Sequence, residues 1–142
     1  PKSNETILVL PASTGYSSAI ISNLAETVIA VEEEDNFISI AEKGMNKSGI
    51  NNVVVIKKKI NENCLDQGPF NAIIIEGAID YIPDQFLNQL ENYGRLFALI
   101  KKDDVTNAML YVKNRNSISS RFLFSCDAPK LNFFKKKNSF SF

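Results

Sequence analysis

Two features near the start of the chain could bind a nucleotide-type cofactor: a loop of small residues and an acidic residue further along. The loop spans residues 11–16, directly after an apolar run at residues 7–10. A short loop between a strand and a helix allows a ligand to approach backbone N–H groups and the helix start. Glu32 follows a second apolar run at residues 27–31, and its carboxylate could accept hydrogen bonds from ribose hydroxyls. Together they predict one half of a nucleotide-cofactor site.

Both Glu32 and Tyr16 also have simpler interpretations. Glu32 begins the acidic stretch 32–35, which suits the solvated start of a helix because the helix dipole favours negative charge there. Tyr16 could cover the first helix as an aromatic residue at its rim. We expect the Glu32 carboxylate to lie at the strand end and to face the cleft. For Tyr16, a place in the cofactor site and a place at the rim of the helix both stay open.

The elements that must position these residues follow from an alternation of strand and helix patterns. Short apolar runs predict buried strands, and amphipathic spacing predicts helices. Strands are predicted at residues 7–10, 27–31, 53–56, 70–75 and 95–100, and helices begin near residues 17, 35 and 83. Strands that alternate with helices form a parallel sheet with right-handed crossovers. We therefore predict an α/β, Rossmann-like fold: a mostly parallel twisted sheet flanked by helices.

The ends and buried faces of the helices are predicted from caps and apolar spacing. The first helix should occupy residues 17–26 with Ser17 or Ser18 as its N-cap. The second should have Asp35 as its N-cap and end at Gly49. The third should open at Pro83. The residues predicted to face the core are Ala19, Ile20 and Leu24 in the first helix, Phe37, Ile38, Ala41 and Met45 in the second, and Phe86, Leu87 and Leu90 in the third.

The pattern changes in the last third of the chain. Residues 109–113 and 119–125 predict two successive strands joined by a turn at residues 114–117, which would form a C-terminal antiparallel hairpin at one edge of the sheet. Ligands of open α/β sheets bind at the carboxyl ends of the strands. We expect three pieces to meet there: the loop at residues 11–16, Glu32, and a turn at residues 76–78 that contains Gly77.

Composition excludes several classes of function. Sixteen basic and sixteen acidic residues cancel, so the charge favours neither nucleic acid nor a membrane surface as a partner. The absence of histidine excludes His-based triads and His metal sites. Cys64 and Cys126 show no metal-ligand spacing, so we expect no metal and a reduced, cytoplasmic protein. We interpret the basic cluster at residues 135–137 as a solvated tail and residues 1–142 as one domain of unassigned oligomeric state.

A series of segments resembles those of one family in the same order along the chain. The segments are ILVLPASTGYSSAIISNLA, VIAVEEEDNFISIAEK, GINNVVVI, PFNAIII, IPDQFLNQLENYGRLFALI and the tail LNFFKKKNSFSF. They are similar to segments of the protein-L-isoaspartate O-methyltransferases, which have the fold of class I methyltransferases dependent on S-adenosyl-L-methionine (SAM). The Phe-ending tail resembles that of a bacterial branch of the family. The resemblance extends over nearly the whole chain.

The resemblance implies a cofactor, a substrate class and a set of site residues. The cofactor would be SAM, and the partner would be a protein or peptide substrate with isoaspartyl residues, whose carboxylates accept the methyl group in protein repair. The residues that it assigns to cofactor binding are Pro11, Ala12, Ser13, Gly15, Tyr16, Glu32, Lys59, Ile60 and Gly77. The family's substrate-recognition segment precedes the first strand. This chain does not contain that segment, so we name no catalytic residue and expect an N-terminal segment to be missing.

Several positions depart from the family's pattern. Pro11 and Ser13 stand where the family has glycine, and Val9 and Asn71 stand where it has an acid. Lys58, Lys59 and Ile60 replace a Gly-Asp-Gly turn of the family, and Tyr93 replaces the first of two glycines. A non-glycine residue held at an unfavourable φ costs about 1–3 kcal/mol, and about 1.4 kcal/mol is tenfold in affinity. We therefore expect weakened SAM binding.

Three other interpretations remain beside a working isoaspartate methyltransferase. The first is a catalytically inactive methyltransferase-fold protein with a binding or regulatory role, which the altered loop favours. The second is an NAD-type Rossmann domain, which the missing glycines and the terminal hairpin disfavour. The third is a methyltransferase of another substrate class.

Overall fold

A computed structural model of the chain describes residues 2–61, 66–132 and 134. Cys64 and the basic cluster at residues 135–137 lie outside these described residues. Ten elements follow one another in the described part: β1 (Thr6–Leu10), α1 (Tyr16–Ser22), β2 (Thr27–Glu32), α2 (Asp35–Lys47), β3 (Val53–Lys57), β4 (Phe70–Ile79), α3 (Asp84–Asn88), β5 (Leu90–Lys102), β6 (Val105–Asn114) and β7 (Ser117–Cys126).

The strands form a seven-stranded sheet in the order β3-β2-β1-β4-β5-β6-β7. The first five strands are parallel, and β6 and β7 add two antiparallel pairings at one edge. A two-residue turn between Asn114 and Ser117 joins the last two strands. The predicted fold class is confirmed, because helices follow β1, β2 and β4 in the parallel part of the sheet and the antiparallel strands lie at one edge. Within the described residues, no helix has the length and apolar character needed to cross a membrane.

Strand β1 lies in the middle of the core. Its residues Ile7, Leu8, Val9 and Leu10 are at most 1% exposed, which explains why the strand is a continuous apolar run. Successive side chains of a strand point to opposite faces. Leu8 and Leu10 therefore join the larger apolar cluster, while Ile7 and Val9 join the smaller one. This burial holds the end of β1, and the loop that follows it, in a defined position.

Helix α2 ends as predicted but begins differently. Gly49 has φ 68° and accompanies the hydrogen bonds Gly49 N–H to Asn46 O (3.2 Å) and Ile50 N–H to Met45 O (2.9 Å), which form a Schellman motif. The N-cap is Glu34 and not Asp35. The predicted inward face is only partly right: Ala41 and Met45 are buried, Ile38 is half-buried, and Phe37 is 40% exposed at the edge of the cleft described below.

The prediction for α1 was wrong in its bounds and its buried face. The helix ends at Ser22, its N-cap is Gly15 with φ 84°, and neither Ser17 nor Ser18 caps it. Ser18 and Ser22 face the core, whereas Ile20 and Leu24 are about half exposed. The left-handed turn at Gly15 starts the helix earlier than predicted and brings its start close to Met45 and Ala41 of α2. The small side chains of Ser18 and Ser22 therefore lie on its inner face.

Two further predictions were wrong around β4. Residues 76–78 form no turn, because β4 continues to Ile79 through a shift of register between Ile74 and Ala78. Gly77 has φ 133°, a conformation that side chains disfavour, and it takes up the irregularity inside the strand. Leu90 is buried but belongs to β5 and not to the third helix. That helix ends at Asn88. The Phe70 N–H donates to the carbonyl oxygen of the next residue, Gln89, at 2.7 Å, and the β4–β5 pairing starts there.

Candidate functional site

The loop after β1 is held against the end of β2. The Ala12 N–H donates to the Val31 carbonyl oxygen at 2.8 Å, and the Gly15 N–H donates to the Ala12 carbonyl oxygen at 2.9 Å. Ala12 itself is 2% exposed. Its side chain therefore lies behind the loop and not on the surface that a ligand would reach.

Glu32 lies at the end of β2, and its carboxylate is bound by backbone N–H groups. Oε1 accepts from the Ser13 N–H at 2.7 Å, and Oε2 accepts from the N–H groups of Glu33 at 2.9 Å and Glu34 at 3.0 Å. The residue is 2% exposed. An ionised carboxylate has about four acceptor sites, and three are filled here. Glu32 thus joins the β1 loop to the β2 end and keeps about one acceptor site.

Ser13 is held in a backbone conformation that favours glycine. Its φ is 51°, in the left-handed region where a side chain costs about 1–2 kcal/mol. The hydrogen bond to Glu32 is one contact that offsets this cost. The same bond occupies the Ser13 N–H, which is the donor that a loop of this kind would otherwise present to a ligand.

The segment after β3 lies beside the acidic residues at the end of β2. The Lys58 N–H donates to the Glu32 carbonyl oxygen at 3.0 Å, and the Ile60 N–H donates to Oε2 of Glu33 at 2.8 Å. Ile60 is 4% exposed and packs in the larger apolar cluster, whereas Lys59 is exposed. The contact from Glu33 to Ile60 was not predicted, because nothing in the local pattern pairs residues so far apart.

The Lys58 side chain pairs with Asp66 and not with the acidic residues at the end of β2. Its Nζ lies 2.8 Å from Oδ2 of Asp66. Hydrogen bonding to Lys58 lowers the pKa of the Asp66 carboxyl below its usual value. The positive charge of Lys58 is therefore directed to Asp66, and the side chains of Glu33 and Glu34 remain exposed at the end of β2.

Gly15 lies in the packing between α1 and α2, whereas Tyr16 lies on the surface of α1. A Cβ added to Gly15 would lie 2.9 Å from Cε of Met45 and 3.0 Å from Cβ of Ala41. The glycine thus permits the start of α1 to approach α2 closely. Tyr16 is 74% exposed, so its ring lies on the outside of the helix.

The C-terminal segment reaches the end of β4, which sequence reasoning missed. The Ala78 N–H donates to the Pro129 carbonyl oxygen, and the Leu131 N–H donates to the Ala78 carbonyl oxygen, both at 2.9 Å. A Cβ on Gly77 would lie 2.5 Å from Cγ and Cδ2 of Leu131, so Leu131 packs directly on the glycine. The segment has no periodicity, and this contact had no signal in the sequence.

Two adjacent cavities open at the carboxyl ends of β1, β2 and β4. One, of about 250 Å³ and here called the polar cavity, is lined mostly by polar and charged residues: Pro11, Ser13, Glu32, Glu33, Glu34, Phe37, Lys130, Leu131 and Asn132. The other, of about 420 Å³, is mostly apolar and is lined by Pro11, Ser13, Ile74, Ile75, Glu76, Gly77, Phe97, Leu99, Ala128, Pro129 and Leu131. Pro11, Ser13 and Leu131 line both, so the two cavities adjoin at these residues.

The structure thus brings together four of the residues assigned to the site. Pro11, Ser13 and Glu32 line the polar cavity, and Gly77 lines the apolar one. Ala12, Gly15 and Ile60 are buried behind these surfaces. Tyr16 and Lys59 are exposed and line neither of the two cavities.

Comparison with known sequences identifies one family. A profile described as protein-L-isoaspartate(D-aspartate) O-methyltransferase matches residues 2–126. A curated relative, the protein-L-isoaspartate O-methyltransferase of Methanospirillum hungatei, is 26% identical over 116 residues, which cover 82% of this chain and 54% of the relative. The chain spans about half the length of the curated relatives it matches first.

Comparison with solved structures agrees on the fold. A protein-L-isoaspartate O-methyltransferase superposes with a TM-score of 0.82 at 20% identity over 92% of this chain and 43% of its own. A putative enzyme of the same kind from Plasmodium falciparum, solved in complex with S-adenosyl-L-homocysteine, has a TM-score of 0.74 at 17% identity over 92% of this chain and 67% of its own. At these identities the likeness establishes the fold alone.

Proposed function

We propose that this chain, which belongs to the protein-L-isoaspartate(D-aspartate) O-methyltransferase family, binds SAM and acts in methyl transfer to isoaspartyl carboxylates of proteins. The observation that carries the proposal is the polar cavity at the carboxyl ends of β1 and β2, which the buried residue Glu32 lines. Ligands of open α/β sheets bind in this position. The proposal includes a protein or peptide partner and a cytoplasmic location, which the free Cys126 thiol supports.

The residues around the two cavities fit SAM in charge and chemistry. The sulfonium and ammonium groups of SAM are cations, and Glu32, Glu33 and Glu34 all line the polar cavity. The acceptor site left on Glu32 suits a ribose hydroxyl. Ligand pockets usually measure about 300–1,000 Å³, and the polar cavity of about 250 Å³ falls short of that range. The fit therefore requires both cavities, with Pro11, Ser13 and Leu131 between them.

The chemistry asks little of the protein in acid or base groups. Bound SAM would supply a methyl group activated by its sulfonium. A carboxylate acceptor is ionised near neutral pH and is itself the nucleophile, so the absence of histidine is compatible with the reaction. What this chain's residues contribute is orientation and exclusion of water. Ile75, Phe97 and Leu99 provide an apolar wall for the second cavity.

A calorimetric titration of the full-length protein with SAM and with S-adenosyl-L-homocysteine (SAH) tests the proposal. Micromolar binding, followed by methylation of an isoaspartyl peptide and not of its aspartyl counterpart, is the expected result. Absence of binding at millimolar SAH would overturn it. The Glu42→Gln variant should bind SAH as tightly as the unaltered protein, because Glu42 is an exposed carboxylate on α2 that lines neither cavity.

A catalytically inactive binding protein of the same fold is the second candidate. The observation that favours it is the mutual engagement of the Ser13 N–H and the Glu32 carboxylate, which consumes a donor and an acceptor that a cofactor would use. Lys59 also stands where the family has an acid. A protein that binds neither SAM nor SAH but retains a specific protein partner would support this candidate.

A further inference from the structure

The C-terminal segment at residues 128–132, here called the strap, crosses the carboxyl end of β4. It is attached to the sheet by the two backbone hydrogen bonds of Ala78, which form an isolated parallel bridge with Lys130. Nζ of Lys130 also lies 3.3 Å from Oδ1 of Asp80. Pro129, Lys130 and Asn132 are exposed. Most of the strap therefore faces solvent.

The chain on both sides of the strap is anchored to the rest of the fold. On one side β7 ends at Cys126, which pairs with Thr106 of β6. On the other side Phe134 is 5% exposed, and its ring packs edge-on against Phe86 at a centroid distance of 5.0 Å. Its carbonyl oxygen accepts from the Asp80 N–H at 2.9 Å. The strap can therefore leave β4 as a loop while its two ends stay in place.

Leu131 is the strap residue that enters the cleft. It packs on Gly77, where a Cβ would meet its side chain at 2.5 Å, and it is half-buried there. It lines the polar cavity and the apolar cavity alike. Leu131 therefore lies where the two cavities adjoin, between Glu32 and Gly77.

We propose that the strap occupies the cleft in the absence of ligand and that Leu131 must leave Gly77 before a ligand can bind across both cavities. The inference rests on the proposed function, since it takes the two cavities as the cofactor cleft. The free energy needed to lift the strap then reduces the observed free energy of binding, because a ligand binds only the population in which the cleft is open. Weak binding would in this case be a property of the C-terminal segment as well as of the β1 loop.

The test compares SAH binding by calorimetry in the full-length protein and in its Leu131→Ala variant. We expect the variant to bind SAH at least fivefold more tightly, because the smaller side chain neither fills the cleft nor holds the strap. Leu123→Ala is the matched control, since Leu123 is a partly exposed leucine on β7 that lines neither cavity. Its affinity for SAH should equal that of the unaltered protein.

Hydrogen exchange of the strap in the unaltered protein supplies a second readout. Saturating SAH should speed exchange of the Leu131 amide, because binding would break its hydrogen bond to Ala78. Weaker binding by Leu131→Ala, or slower exchange with SAH, would overturn the inference and make the strap a wall of the occupied site. If SAH binds neither protein at millimolar concentration, the proposed cofactor is wrong and the inference falls with it. That result differs from one in which SAH binds and the strap stays in place.

Discussion

The Ser13 N–H donates to Oε1 of Glu32 over 2.7 Å, and this bond links the β1 loop to the end of β2 across 19 residues of sequence. The Glu32 carboxylate also accepts from the N–H groups of the next two residues, Glu33 and Glu34. A carboxylate expected to face a ligand is therefore also a structural support for the loop. Substitutions at Glu32 should change stability as well as binding.

Replacing Glu32 with alanine should lower the free energy of unfolding by about 2–4 kcal/mol, because three backbone N–H groups would lose a charged acceptor in a buried setting. Urea denaturation measures the change. Glu26→Ala is the control: Glu26 is exposed, and such surface changes usually stay within about 0.5 kcal/mol. Equal effects of the two substitutions would contradict the supporting role of Glu32.

Restoring the family's residues with Pro11→Gly, Ser13→Gly and Lys59→Asp should tighten SAH binding by about tenfold or more. Removing the strain at Ser13, where φ is 51°, and restoring the acid that the family has at position 59 should each contribute of the order of 1 kcal/mol. Calorimetry measures the affinity. Arg115→Gly is a control for glycine at positive φ, since Arg115 has φ 56° in the hairpin turn away from the cleft. Unchanged affinity in the triple variant would show that these positions do not weaken the site.

Lowering the pH should destabilise the fold through the ion pair of Glu5 and Arg95. The guanidinium donates two hydrogen bonds of 2.9 Å to the Glu5 carboxylate, and this lowers the pKa of Glu5 from 4.5 to about 2. Between these values the unfolded chain binds more protons than the folded one. The contribution is therefore complete above about pH 5 and is lost as the pH falls toward 2.

Urea denaturation of the unaltered protein and of Glu5→Gln from pH 7 to pH 2.5 measures this linkage. The difference in unfolding free energy should be about 1–2 kcal/mol at pH 7, allowing for solvent screening at the Arg95 end. It should shrink as the pH approaches 2. A difference that stays constant with pH would mean that the carboxylate charge contributes nothing.

Three glycine-to-alanine substitutions should separate backbone strain from steric contact. Gly15→Ala combines φ 84° with a Cβ only 2.9 Å from Met45, so we expect a loss of about 2–4 kcal/mol in unfolding free energy. Gly49→Ala has φ 68° but no atom within 4 Å, so the expected loss is about 1 kcal/mol. Gly44 lies within α2 with nothing near it, and alanine there should stabilise by about 0.5–1 kcal/mol. A Gly15→Ala loss no larger than that of Gly49→Ala would show that the approach of α1 to α2 is not tight.

The parts of the fold that follow from local pattern were predicted well. The apolar run of β1, the glycine that ends α2 at Gly49 and the hairpin of β6 and β7 each carry a signal within a few neighbouring residues. Where local signals competed, prediction failed. Residues 76–78 contain a glycine typical of a turn, yet pairing with β5 continues through them. Ile20 and Leu24 have helical spacing, yet the close packing at Gly15 leaves Ser18 and Ser22 inside.

The sequence by itself determined the α/β class and the order of strands and helices along the chain. Only the tertiary structure decided how the site is arranged. It joins Ser13 to Glu32, brings Leu131 onto Gly77, and pairs Glu5 with Arg95 across 90 residues. The physical reason is that periodicity and capping depend on residues within one or two turns of the chain. The contacts that occupy the cleft depend on the distances between separate elements, and those distances are set only when the whole core packs.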